Sequence, residues 1–217
     1  MILSNIIQQT SAYVKQELIH AEGGHDWWHI YRVWKTSAEI AKTETADLFV
    51  VELAALLHDI ADSKFHDGDE TLGPLKAELF LKSINVDPLI IEHVVNIIVN
   101  ISFKGGNFKQ GFSSIELDIV QDADRLDAIG AIGIARAFNY GGYKGRQLYN
   151  PDIAPDLTMN KEQYKNSSAP TISHFYEKLL LLKYRMNTTT GKSLAENRHE
   201  FMLQYLEQFY AEFEGKR

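Results

Sequence analysis

Three His-Asp dipeptides occur in the chain, His25-Asp26, His58-Asp59 and His66-Asp67, and of these only His58-Asp59 closes an apolar run, Val50-Val51-Glu52-Leu53-Ala54-Ala55-Leu56-Leu57. An imidazole and a carboxylate at the end of so apolar a segment persist only when paired, hydrogen-bonded or bound to a metal. The other two pairs have plainer readings. Asp26 follows Gly23-Gly24 and precedes a helical pattern, which suits a helix N-cap. His66-Asp67 lies in the polar stretch Ser63 to Asp69, which suits a solvated turn.

A metal centre needs more ligands than one pair. His29 lies four residues after His25 and three before Arg32, so these side chains can share a helix face, although a histidine beside Trp27 and Trp28 also reads as a packed core residue. Asp124 lies in Ile119-Val120-Gln121-Asp122-Ala123-Asp124-Arg125-Leu126-Asp127-Ala128-Ile129-Gly130, where apolar residues and carboxylates alternate too densely for every acid to reach water. Its plainer reading is a solvated acidic face with Arg125 as an ion-pair partner.

Composition narrows the chemistry. The absence of cysteine excludes disulfides and thiolate metal sites, leaving His, Asp and Glu as the strong ligands and favouring hard or borderline divalent ions. A net charge of -7 opposes binding to a long nucleic acid, yet a metal and a few local cations suffice for a small phosphorylated substrate. With 45% hydrophobic residues in 217, the chain can bury a sizeable core. No apolar stretch reaches the roughly 20 residues that span a bilayer, and the start lacks the flank of a secretory signal, so a cytoplasmic protein without a membrane partner is expected.

The elements that must position these groups read as helices almost throughout. The periodicity predicts helices over about 3–20, 26–42, 47–61, 75–84 and 88–101, a helical pattern over 114–138, and a C-terminal helical hairpin of 171–186 and 194–213. The third is apolar nearly all round, the mark of a helix inside the core. Gly130 and Gly133 permit close packing in the sixth. Residues 139–170 read as a long irregular segment, a candidate lid. One compact all-α domain, 1–217, is expected, with the motifs in about 24–138 and the long loop and C-terminal helices in 139–217.

The ordered set His29, His58-Asp59 and Asp124 on a helical scaffold resembles the HD-domain metal-dependent phosphohydrolases. Two strings, His25-Asp26-Trp27-Trp28-His29 with Arg32-Val33 and Gln121 to Gly130, make the chain similar to a bacterial branch of small, single-domain nucleotide pyrophosphohydrolases. The resemblance runs from about Gly24 to Phe138 and more loosely through the C-terminal helices. It implies that His29, His58, Asp59 and Asp124 bind one divalent ion, manganese by preference, with cobalt, nickel, magnesium or iron as alternatives. The reaction it implies is attack of water on phosphorus without a phosphoenzyme, and cleavage of a nucleoside or deoxynucleoside triphosphate to monophosphate and pyrophosphate.

Asp62, three residues beyond Asp59, is the acid that relatives use on the attacking water; Asp67 and His66 are second candidates. Arg32, Lys64, Lys104 and Arg125 are the candidate phosphate contacts. The alternatives are a 5'-nucleotidase, a guanosine tetraphosphate hydrolase and a non-catalytic nucleotide-binding regulator. The tetraphosphate hydrolases carry an adjacent acidic pair where this chain has Asp62-Ser63. Cyclic-dinucleotide phosphodiesterases of this type use extra histidines for a second metal. Here His93 alone stands between Asp67 and Asp124, and it reads as a helix-face residue. The apolar stripes of the C-terminal helices read as core and leave a homodimer open.

Overall fold

The computed structural model describes residues 2–21, 26–61, 69–101 and 111–216. The fold is all-α, with no strand among the described residues. The chain forms two compact units, Met1–Ala123 and Asp124–Arg217. No described helix is long and apolar enough to cross a membrane.

The first unit is built around α3 (Leu48–Leu57). Val51, Leu53, Ala54, Ala55, Leu56 and Leu57 are all fully buried, as expected of a helix without a polar face. It packs against α1 (Ile2–Glu17), α2 (Trp27–Ala41) and α5 (Pro88–Ile101), and α4 (Leu72–Ser83) packs on α5. Val14 of α1, Ile30 and Val33 of α2, and Val94 and Ile97 of α5 complete this core. Asp47 starts α3 by accepting from Phe49 N and Val50 N, and its own amide donates to Glu116 Oε1 at 3.0 Å. Helix α6 (Ile115–Asp127) contains the boundary between the two units.

In the second unit, α7 (Gly130–Tyr143) packs on α10 (Thr189–Phe213) and on α9 (Thr171–Glu177). A 3-10 helix, Leu179–Arg185, joins α9 to α10 and packs on both. Phe175 is fully buried, and its ring lies with those of Phe138 and Tyr205 at the centre of an aromatic cluster. A short helix, α8 (Lys161–Asn166), carries a capping box between Asn160 and Gln163.

Several sequence expectations are corrected here. The helical pattern over 114–138 is broken, because Ile129 is extended and Gly130 has φ +74°. That left-handed value suits glycine. Gly133 then lets the first turn of α7 lie against the end of α6: a Cβ there would stand 2.2 Å from the Ala128 carbonyl oxygen. The segment 139–170 is less irregular than expected, since α7 continues to Tyr143 and α8 lies within it. The helix expected over 171–186 divides at Lys178 (φ -143°, ψ -56°). The last helix begins five residues before the expected 194, because Thr188 Oγ1 caps it by accepting from Gly191 N.

Candidate metal centre

Two helices present the site in the first unit. Asp26 is the N-cap of α2: its Oδ1 accepts from His29 N at 3.0 Å, so the expected cap fixes the turn that carries His29. His29 itself is buried, at 2% exposure. His58 is the C-cap of α3, and Asp59 follows in the turn that closes with Ile60 N donating to Leu57 O. The core packing of α3 against α2 thus delivers a buried imidazole from one helix to a His-Asp pair from the other.

One ligating atom from each of His29, His58 and Asp59 can be chosen so that all three lie within 4.8 Å of one another. The imidazoles meet edge to face, with ring centroids 5.4 Å apart. His29 Nε2 stands 4.0 Å from Asp59 Oδ2, beyond hydrogen-bond length.

His58 supplies the decisive detail. Its Nδ1–H donates to the Ala55 carbonyl at 2.9 Å, whereas its Nε2 is buried and has no hydrogen-bond partner among the described residues. The carbonyl holds the ring in the tautomer whose Nε2 lone pair is available, which is the usual arrangement behind a metal-ligating histidine. A buried orphan nitrogen costs about 1–3 kcal/mol unless something occupies it, so the donor set fits a divalent cation. The sequence could not reveal Ala55 as a participant, because its contribution is a main-chain carbonyl.

The remaining expected site residues are distributed as follows. Asp124 is half-buried on α6, at the first residue of the second unit. Arg32 is half-buried on α2, one turn beyond His29. Arg125 donates to the Arg185 carbonyl at 2.5 Å. Of the acids around Asp124, Asp122 and Asp127 are buried and do not form a solvated face; Asp127 Oδ2 pairs with Arg136 at 2.5 Å. Asp62, Lys64, His66, Asp67 and Lys104, together with His25, lie outside the described residues.

His93 is more than a helix-face residue. Its Nε2 is hydrogen-bonded to Ser114 Oγ at 3.1 Å and lies 3.4 Å from Glu116 Oε2, while Glu116 also holds the Asp47 amide at the start of α3. This linkage ties α5 and α6 to the helix that ends in His58. Its sequence signal was only a capping-type Asp before an apolar run.

Comparison with known proteins agrees with this geometry. A family model for the HD domain matches residues 27–129. YpgQ of Bacillus subtilis strain 168 is 40% identical over 211 residues, covering 96% of this chain and 94% of that protein. The chain belongs to the HD-domain family. An HD-superfamily hydrolase from Bacillus thuringiensis superposes with a TM-score of 0.79 at 42% identity, covering 98% of each chain. The crystal structure of Bacillus subtilis YpgQ in complex with ADP gives a TM-score of 0.77 at 40% identity, covering 98% of this HD-domain chain and 97% of that one. The chain is therefore a hydrolase of the HD superfamily, an enzyme class that works on phosphorylated substrates with a divalent metal, and His29, His58 and Asp59 form its fitting His/Asp cluster.

Proposed function

We propose that this enzyme hydrolyses a nucleoside or deoxynucleoside triphosphate to the monophosphate and pyrophosphate. The observation that carries the reading is the His29–His58–Asp59 cluster with the His58 lone pair directed by Ala55. Support for a nucleotide comes from YpgQ, which was crystallised with ADP. Asp124 stays in the ligand set on the strength of the family motif, and manganese is the favoured ion.

When bound, a divalent cation withdraws charge from the phosphoryl group and lowers the pKa of coordinated water. The chain's own residues do the rest. Asp26 and Ala55 orient the two imidazoles through the His29 amide and His58 Nδ1. Arg32 offers a planar cation to a phosphate oxygen from the helix that carries His29, with Lys64, Lys104 and Arg125 as further contacts. Asp62 accepts the proton of the attacking water, with Asp67 and His66 next in line. The product is soluble and small, so the reading requires no membrane and no long nucleic acid.

The test is a product assay on metal-loaded protein with a nucleotide panel, resolving phosphate, pyrophosphate and triphosphate. Pyrophosphate release is expected. Asp62→Asn should keep its metal and lose about 10²–10⁴-fold in kcat, the ordinary contribution of a general base. Release of phosphate alone would move the assignment to a nucleotidase, and metal and nucleotide binding without turnover would make the protein a regulator.

A further inference from the structure

Helix α2 has a second face that the metal centre does not use. Trp28 is 59% exposed and Tyr31 37% exposed, while His29 between them is buried. Exposed aromatic rings are unremarkable when scattered, but these are ordered. Trp28 meets Tyr31 edge to face at 5.8 Å, Tyr31 meets Trp34 edge to face at 6.2 Å, and Trp27 leans on Tyr31 at 6.2 Å. Trp34 is anchored in turn, since its Nε1 donates to Glu52 Oε1 of α3 at 2.9 Å. The Lys35 ammonium lies 4.1 Å from the Trp34 ring centroid and 5.5 Å from that of Tyr31. The ledge is therefore held in place by its own neighbours, at little entropic cost to a ligand.

Its position on the helix gives it a direction. At about 100° per residue, Arg32 falls about 60° round from His29, Trp28 about 100° and Tyr31 about 160°, all in the same sense. Passing outward over α2, the surface changes from the buried imidazole of the metal centre to a half-buried guanidinium, then to an open indole and a phenol flanked by Lys35. That sequence of chemistries matches a nucleotide laid across the helix: cation site and Arg32 for phosphates, aromatic ring for the base. Every nucleobase has a π face, so such a ledge binds bases without reading their edges.

We propose that Trp28, braced by Tyr31, is the stacking platform for the base of the nucleotide substrate. The inference rests on the nucleotide reading above, and it adds where selectivity for a nucleotide over a bare polyphosphate arises. It also predicts tolerance among the bases, because stacking uses the π face that every base presents.

The experiment compares wild type, Trp28→Ala and Trp28→Phe on nucleoside triphosphates and on inorganic tripolyphosphate. It is paired with quenching of tryptophan fluorescence by ADP and with size-exclusion chromatography. Trp28→Ala should lower the ratio of kcat/KM for nucleotide over tripolyphosphate on the order of tenfold, mainly through KM, and weaken ADP quenching by a similar factor. Trp28→Phe should recover most of both. An equal fall on both substrates makes Trp28 structural and overturns the ledge while leaving the hydrolase reading intact. A changed oligomeric state with the ratio preserved assigns the ledge to a second copy of the chain and overturns it as well. If wild type cleaves no phosphate compound, the functional reading fails; ADP quenching lost in Trp28→Ala still supports the ledge, and quenching unchanged overturns it.

Discussion

Replacing His58 by leucine separates the metal role of this residue from its structural one. In the metal-free protein the buried Nε2 has no partner among the described residues, so removing it recovers about 1–3 kcal/mol of desolvation cost. The same change takes the Nδ1–H from the Ala55 carbonyl, whose residue is fully buried, and incurs a cost of similar size. The two effects nearly cancel, and metal-free His58→Leu should lie within about 2 kcal/mol of wild type by urea denaturation. With metal the proteins diverge. At a free concentration of a hundred times Kd, a ligand that binds only the folded state stabilises it by about 2.7 kcal/mol. In a chain of this size that raises Tm by about 5–10 °C. Wild type should show this shift with manganese, and His58→Leu should show none. The assay is a thermal melt with and without manganese after chelator treatment, with bound metal measured directly. A full manganese shift in His58→Leu would refute the assignment of Nε2 as a ligand. A loss of several kcal/mol in the metal-free variant would show instead that His58 holds the fold together by contacts other than the one to Ala55.

Other outcomes follow from the same structure. Asp26→Ala removes the side-chain acceptor of the His29 amide, which keeps its bond to the Asp26 carbonyl at 3.1 Å, and should cost about 1 kcal/mol in urea denaturation, with a weaker manganese affinity by titration because the cap that fixes the turn carrying His29 is lost. Gly133→Ala places a Cβ 2.2 Å from the Ala128 carbonyl oxygen and should destabilise the protein by about 3 kcal/mol or more, seen as a lower urea midpoint. His174 is held near pKa 4, chiefly by burial and then by Lys178 and Arg146, and it is hydrogen-bonded to Tyr164, whose phenol burial pushes up. Its contribution to stability is complete above the unfolded value of 6.5, and about 3 kcal/mol should be lost as pH falls from 6.5 to 4. His174→Gln should flatten that slope in denaturation curves taken across this interval.

What the sequence disclosed depended on whether the signal was local. Helix α3 was legible because an apolar run without a polar face has one destination, and α5 because Pro88 opens it at a position that tolerates proline. The break between α6 and α7 was not, since glycine is tolerated within a helical pattern and residue type alone does not say which of Gly130 and Gly133 takes the left-handed φ, here +74° at Gly130. The 3-10 turn over Leu179–Arg185 was hidden by four consecutive leucines, which carry no period. Thr188 was one of three threonines in a row, and only the bond from Gly191 N distinguishes it as the cap.

The same distinction applies at the candidate site and explains why the His29–His58–Asp59 cluster was easier to read from the sequence than its supports. A His-Asp pair at the end of an apolar helix breaks a local rule, and sequence reasoning detects the violation. The groups that make the violation tolerable obey their own local rules. Ala55 is an ordinary core residue whose carbonyl happens to meet His58, and Glu116 is an ordinary acid in the first turn of α6 that reaches an amide 69 residues away. Neither has an anomalous type or spacing, yet one sets the tautomer of His58 and the other anchors the helix that ends in it. Replacing Glu116 by glutamine keeps an acceptor for the Asp47 amide but removes the charge beside His93. If the anchor is the hydrogen bond, manganese affinity in that variant should stay within about twofold of wild type, whereas Glu116→Ala should weaken it by roughly tenfold, the scale of a lost supporting contact. Equal affinities for Glu116→Ala and wild type would show that the packing of α3 alone places His58, and that the linkage through Glu116 serves only the fold.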